Sequence, residues 1–286
     1  MSKSKLILLY SVLALITVTA TIIFTFPFKT LEQRLSQHLS RALNLEVSLT
    51  SLAPSAFLGL KAQSLVIKTP KFPPLTLSNP NLKLNPSSLF LGIPEFNIYT
   101  QLWDGKIFIN AIFDSIKNWK IGELKVELKD IRLSDSIAYL KDIYINSIDG
   151  SLDSTINLQY PKNFSLPRLG GQGNIKIINC NINFDTPLFK NILLQDIKTT
   201  IKFTIKNGVL KIKEGPVSLA GINGKIKGSI FLNKNINSSR INLAVELKIG
   251  SNLKNFPQSL KPLMSKRKKI RLNIQGTIAN PKVSWL

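Results

Sequence analysis

Two residue types decide most of the catalytic options in this 286-residue chain, and each occurs once: His38 and Cys180. Nucleophilic catalysis of the Ser-His or Cys-His kind must therefore pass through His38. That residue lies in "LEQRLSQHLSRAL", a polar stretch with helical spacing, where a solvated helix residue is the expected reading. Cys180 lies in "NIKIINCNINF", a strand-like run, and reads as a small packed side chain. A single cysteine excludes an intrachain disulfide and a cysteine metal cluster, and with one histidine there is no zinc site built from the two types. No Walker loop, HExxH or G-x-S-x-G stretch occurs. Gly170, Gly171 and Gly173 cluster, but a strand-like run follows them and offers no helix N-terminus to a phosphate, so the cluster reads as a turn. Asp130, Asp135 and Asp142 are neighbours in sequence, on strands and turns that need polar residues anyway. A carboxylate pair for hydrolysis would have to converge in the fold. The expectation is a non-enzyme with no cofactor and no metal.

Charge is the next chemical signal. Lys and Arg number 38 against 16 Asp and Glu, a formal +22. The chain is heavy in Lys, Asn and Ile, and compositional bias accounts for much of that excess. The densest cluster is "KPLMSKRKKIR", with Lys261, Lys266, Arg267, Lys268, Lys269 and Arg271 and no acid among them. Beside a membrane such a cluster could hold anionic head groups, each basic residue contributing about 1 kcal/mol close to the surface. Nucleic-acid binding would want aromatics interleaved with the basic residues, and this cluster has none, so no nucleic-acid partner is expected. An ordinary solvated loop is the third reading.

An uncharged run extends from Leu6 to Phe28 and ends at Lys29. At 1.5 Å per residue it makes roughly 35 Å of helix, enough to cross a hydrocarbon core of about 30 Å. A cleavable signal peptide ending near Val18-Thr19-Ala20 competes, but "TIIFTFPF" continues the apolar run beyond that site. The expectation is an uncleaved single-pass anchor in residues 1–29, N-terminus in, with residues 30–286 as the body outside. Lys3 and Lys5 favour that orientation over its reverse.

The body must be read for what positions its side chains. From Thr30 to about Leu43 the pattern is helical, with Leu31, Leu35, Leu39, Ala42 and Leu43 on one face. This helix is expected to pack on the start of the body, with a place on the membrane surface as the alternative. Thereafter the period is two. Ile201, Phe203 and Ile205 alternate with Lys202, Thr204 and Lys206; Asn207-Gly208 follows; then Leu210 and Ile212 alternate with Lys211 and Lys213. Asn-Gly between alternating runs predicts a type I′ hairpin pairing Lys206 with Val209, Ile205 with Leu210 and Phe203 with Ile212. The same alternation sets Leu124, Val126 and Leu128, Ile175 and Ile177, Ile241, Leu243, Val245 and Leu247, and Ile270, Leu272 and Ile274 on apolar faces. Asp149-Gly150 and Asn223-Gly224 read as further turns. Six prolines between Pro70 and Pro94 predict short, edge-like or interrupted strands there. "SNLKNFPQSLKPLMSKRKK" reads as a short helix or irregular excursion. The fold class is mainly β, and its apolar face needs a second sheet, closure into a barrel, or a bend that makes the face a groove.

The stretch "FPFKTLEQRLSQHLSRALNLEVSLTSLAPSAFLGLKAQSLVI", with Pro54 followed by Gly59-Leu60, resembles the start of the type II secretion system protein N family, a branch of the AsmA-like envelope proteins. "LWDGKIFINAIF" around Gly105, "GINGKIKGSI" and "IRLNIQGTIANPKVSW" are similar to that family's later strands, the last through Gly276, Thr277, Ile278, Asn280 and Pro281. The resemblance implies a non-catalytic subunit of the type II protein secretion system, anchored in the bacterial inner membrane with its body in the periplasm. Its partners would be the membrane, other secretion subunits and phospholipid. It also implies a long antiparallel sheet bent like a taco, whose apolar concave face would be lined by Ile175, Ile177, Ile201, Phe203, Ile205, Leu210, Ile212, Ile241, Leu243, Val245, Leu247, Ile270, Leu272 and Ile274. The alternative within that resemblance is an AsmA-like lipid-binding or lipid-transfer protein.

Overall fold

The structure, a computed structural model, describes residues 6, 10, 11, 13, 14, 17 and 21 singly and residues 25–55, 58–69, 72–117, 119–139, 145–160, 166–184, 192–219, 222–248 and 269–285 as segments. Most of the expected anchor lies outside the described residues. Among those described, no helix is long and apolar enough to cross a membrane.

Helix α1 (Phe28–Leu43) ends where Asn44 takes a left-handed φ of 53° and its N–H bonds to Ser40 O. Its Leu31, Leu35 and Leu39 are half-buried as expected, whereas Ala42 and Leu43 are exposed. The strands that follow are β1 (Glu46–Thr50), β2 (Ala53–Ser55), β3 (Gly59–Lys61), β4 (Ser64–Lys68), β5 (Leu75–Leu84), β6 (Glu95–Leu102), β7 (Gly105–Phe113) and β8 (Ile121–Arg132). A one-turn helix α2 (Pro86–Phe90) separates β5 from β6. Then come β9 (Ile145–Gln159), β10 (Gly170–Phe184), β11 (Ile192–Lys206), β12 (Val209–Leu219), β13 (Ile222–Phe231), β14 (Arg240–Lys248), β15 (Lys269–Thr277) and β16 (Pro281–Trp285). All belong to one open antiparallel sheet in which every strand from β5 onward pairs with its successor in sequence. β5 is shared at its other side, its first half with β4 and its second with the β2–β3 hairpin. The strands build one sheet, so the mainly β, antiparallel expectation holds.

The helix does more than pack on β1. Ser40 Oγ accepts the Val47 N–H at 2.9 Å, Ser36 Oγ the Leu49 N–H at 3.0 Å, and a Glu32 carboxylate oxygen the Leu52 N–H at 2.8 Å. Four helical residues rise about 6 Å and two strand residues about 6.6 Å, so Ser40 and Ser36 match the alternate donors Val47 and Leu49 of the edge strand, and Glu32 takes the Leu52 donor just past its end. Edge donors that would otherwise recruit another chain are thereby occupied.

The Asn207-Gly208 hairpin forms in the expected register, with φ of 50° and 70° at its two turn residues. Three other glycine signals are corrected. Asp149-Gly150 lies inside β9, Asn223-Gly224 inside β13, and Gly170, Gly171 and Gly173 inside β10. None turns the chain, because strands flank these residues on both sides; the missing side chain instead admits a neighbour. A Cβ at Gly150 would stand 2.7 Å from Cys180 Cα, one at Gly224 2.7 Å from Leu247 Cδ2, and one at Gly173 2.5 Å from Phe203 Cζ. The proline-rich stretch is only partly interrupted: Pro80 sits within β5 at a bulge between Ser78 and Asn81, and Pro86 opens α2.

Gly228, at φ +138°, tests this packing: a methyl there would overlap the Asn242 carbonyl oxygen. Gly228→Ala should lower unfolding stability by more than about 2 kcal/mol, combining backbone strain with steric overlap. Gly92→Ala, at φ +73° in open space, should cost only about 1 kcal/mol. Denaturant unfolding of the detergent-solubilised chain separates the two.

Candidate functional site: an apolar sheet face

Because successive side chains of a strand point to opposite faces, the register fixes which residues share a surface. One cross-strand row runs Leu82, Ile98, Ile109, Val126, Ile156, Gly173, Phe203, Ile212, Gly228, Leu243 and Ile274, from β5 to β15. The adjacent row runs Lys83, Asn97, Asn110, Lys125, Asn157, Gln172, Thr204, Lys211, Ser229, Asn242 and Gln275. The first contains only apolar residues and glycine, the second only polar ones. The sheet is therefore two-faced along its length.

The expected lining residues fall on the apolar face. Ile175 pairs with Ile201, Phe203 with Ile212, Ile205 with Leu210, Leu243 with Ile274 and Val245 with Leu272. Ile177 and Ile241 continue their strands on the same face. Ile270 stands in register with Leu247, but its side chain lies outside the described residues. Burial is uneven across this surface. Phe203, Ile205 and Ile212 are each 7% exposed and cluster with Leu169, the Phe203 ring lying over Gly173. One end of the cluster is covered, since Gly208 N–H donates to Leu169 O at 3.0 Å and Leu232 N–H to Gly208 O at 2.8 Å. Elsewhere, Ile98, Ile109, Val126, Ile156, Leu243, Val245 and Ile274 stay half-buried although they sit on interior strands. Facing residues of two stacked sheets would be covered.

Polar atoms on this face are quenched. Thr100 Oγ1 donates to Ser78 O, Ser154 Oγ to Asn174 O and Thr199 Oγ1 to Pro216 O, all at 2.8–2.9 Å. Beyond Leu124, Val126 and Leu128 of β8, what the sequence reading missed is the part of the face on β5, β6, β7 and β9, and the device that keeps it in phase. The apolar series slips by one residue: Leu128 then Ile131, Ile177 then Cys180, Leu194 then Ile197. Each slip is a bulge whose extra residue is Asp130, Asn179 or Asp196, with φ near 50°. Asp and Asn tolerate that conformation. At two of them the opposing strand supplies a side-chain acceptor: Asp130 N–H to Asp153 Oδ1 at 2.8 Å, and Asp196 N–H to Asn181 Oδ1 at 2.9 Å. The phase slip at an Asx residue was the available signal.

The larger recesses of the surface lie mainly on the other face. One of about 670 Å³ is lined by Lys202, Glu214, Lys225, Glu246 and their neighbours, and one of about 730 Å³ by Glu123, Lys125, Gln172 and Lys206 among others. They are furrows between rows of long side chains. Exposed ion pairs cross them, Lys225 to Glu214 at 3.1 Å and Lys227 to Glu246 at 3.2 Å. Hydrogen bonding to Glu214 raises the Lys225 ammonium, and hydrogen bonding to Lys227 holds the Glu246 carboxyl below its ordinary value. His38 is exposed on α1, and Asp130 and Asp135 take up the bulge and the short helical turn after β8. Asp142 lies outside the described residues. Among the described residues, no group of three or more His, Cys, Asp or Glu side chains could hold a metal ion. Of the basic cluster only Lys269 and Arg271 are described, on the polar side of β15; Lys261, Lys266, Arg267 and Lys268 lie outside the described residues. No protein-family model, curated protein or solved structure matches this chain.

Cys180 gives a chemical check on the register. It is 1% exposed, and burial, with Asp149 nearby, pushes its thiol up to about 11. At pH 8 its thiolate fraction falls roughly 100-fold below that of a free cysteine. A disulfide exchange reagent should therefore label the native protein at least about 100-fold more slowly than the unfolded chain. Labelling at the free-thiol rate would contradict the β10–β11 packing.

Proposed function

We propose that this chain is a non-catalytic, inner-membrane-anchored periplasmic protein whose apolar sheet face receives lipid acyl chains, in the manner of the AsmA-like proteins it resembles. The observation that carries the reading is the unbroken apolar row from β5 to β15, which on interior strands is only half-buried away from Phe203 and Ile212. A water-facing surface of that extent is unfavourable for a free-standing protein, and monomers rarely keep one without a partner. Curvature toward the apolar side, which would make it a groove, is supported by its glycines. Gly171, Gly173, Gly215 and Gly228 remove side chains from that face, and Phe203, Ile201 and Ile226 close over two of the gaps. Losing bulk on one face and bulging repeatedly bends a sheet toward that face.

Support for the anchor comes from the described positions of the N-terminal run. Tyr10 and Leu13 are 62% and 58% exposed, while Thr17, Thr21 and Thr25 turn their hydroxyls back to carbonyls four residues earlier. Outward apolar side chains and internally satisfied hydroxyls suit a helix in lipid.

A second reading, an accessory subunit of the type II secretion system whose sheet packs on other subunits, has its own observation. Among the described residues β16 pairs only with β15, so its outer ladder groups are open to another strand.

Photo-crosslinking separates the readings. A benzophenone amino acid replacing Val245 or Ile109 in the full-length protein in cells should yield phospholipid adducts by mass spectrometry. The same probe replacing Lys227 or Lys125 should yield none. Adducts to secretion subunits alone at Val245 would support the second reading and remove the first.

A further inference from the structure

One end of the sheet carries exposed apolar side chains that neither the sheet face nor the bulges explain. Phe90 is 92% exposed, Leu91 77%, Leu58 68%, Trp119 53%, Ile93 46% and Ile116 45%. They belong to three connections at the same end: the β2–β3 hairpin, the segment from α2 to β6, and the loop from β7 to β8.

The α2–β6 and β7–β8 connections are tied by hydrogen bonds. Ser88 Oγ donates to Asn85 O at 2.7 Å and accepts the Glu95 N–H at 2.9 Å, closing the α2 turn. Ile116 N–H donates to Gly92 O and Phe113 N–H to Pro94 O, both at 2.9 Å, tying the two larger loops together. Hydrogen bonds hold the backbone at Gly92, Pro94, Phe113 and Ile116 while the neighbouring Phe90, Leu91, Ile93 and Ile116 side chains stay exposed.

The same end receives the N-terminal apolar run. Glu32 is bonded to Leu52, β2 lies next to β3, and β3 pairs Gly59 with Lys83 at the far end of β5. Phe28 lies one helical turn before Glu32, toward that end. Charge agrees: exposed Lys117 and Lys120 flank Trp119, with Asp114 the acidic residue of that loop. A tryptophan among aliphatic and phenylalanine side chains, bordered by lysines, is the composition that settles at the level of anionic lipid head groups.

We propose that this end is a membrane-interface rim, in which Leu58, Phe90, Leu91, Ile93, Ile116 and Trp119 enter the head-group layer of the bilayer from which the chain emerges. The rim is continuous with the apolar face. Trp119 lies 5.7 Å from the Phe113 ring and 6.1 Å from the Phe96 ring, and Phe96 pairs with Leu84 and Ala111 on the apolar side. An acyl chain could pass from the bilayer to the sheet along those rings. This step rests on the membrane-anchored reading above.

Full-length protein in phosphatidylethanolamine–phosphatidylglycerol vesicles carrying brominated phosphatidylcholine tests it. With Trp103→Phe and Trp285→Phe, the remaining Trp119 should lose roughly half its emission to the brominated lipid. With Trp119→Phe and Trp285→Phe, the remaining Trp103, at the other end of β6, should be unaffected. Trp119 emission that ignores brominated lipid and yields to aqueous iodide would overturn the rim. A polarity-sensitive fluorophore on Leu13→Cys reads the anchor separately. Its insertion alongside unquenched Trp119 would discard the rim and keep the anchor; quenched Trp119 with a water-exposed label would discard the anchor and keep the rim.

Discussion

A side chain on a strand has two directions to point, and from β5 to β15 most of the branched apolar residues point the same way, with Ile112, Ile178, Leu193 and Val209 on the other face. Maintaining that agreement over strands as long as β9, β10 and β11, each 15 residues, is the constraint on which the molecule depends. Twist accumulates along a strand, and one residue of slippage would exchange the two faces. The chain meets this with bulges at Asp130, Asn179 and Asp196, where a left-handed Asx residue absorbs the extra step. Ile131, Cys180 and Ile197 thereby stay paired with apolar partners or bulge neighbours beyond it.

Two further features follow from the same geometry. An open sheet has edges, and at the first edge the Glu32, Ser36 and Ser40 stripe of α1 takes the free donors of β1 and its extension. An open sheet also has an uncovered face. Here Phe203, Ile205, Ile212 and Leu169 form a buried cluster and Ala111, Ile131, Cys180 and Ile222 are buried singly, while Ile98, Ile109, Val126, Ile156, Leu243, Val245 and Ile274 stay only half-buried. Cross-strand pairs and ladder hydrogen bonds hold such a layer together without a second layer over its apolar side. In the membrane-anchored proposal, the exposed rim beside α2 and the β7–β8 loop would give that side a route to the bilayer.

Alternation made the fold class, the Asn207-Gly208 hairpin and the lining of β10 to β15 readable, because each depends on neighbours in sequence. The same local reasoning failed at Asp149-Gly150, Asn223-Gly224 and the Gly170 cluster. A glycine that frees a turn and a glycine that admits Leu247 or Phe203 from the next strand look alike until the pairing is known. Of the β5 to β9 half of the apolar face only Leu124, Val126 and Leu128 were legible, the rest being obscured by prolines and by phase slips that break a strict period of two. The rim was hidden for a different reason: Phe90, Leu91 and Trp119 have no periodicity, and only their exposure distinguishes them from core residues.

Native mass spectrometry of the full-length protein, gently extracted from its own membranes, reads directly whether the apolar face carries lipid. The released complex should be heavier than the chain by the mass of one or more phospholipids, identified by fragmentation. That mass should disappear when half-exposed apolar-face residues such as Leu243 and Val245 become aspartate in a chain that remains folded. A folded protein that flies bare, or whose lipid survives those substitutions, would contradict the assignment of the apolar face to acyl chains.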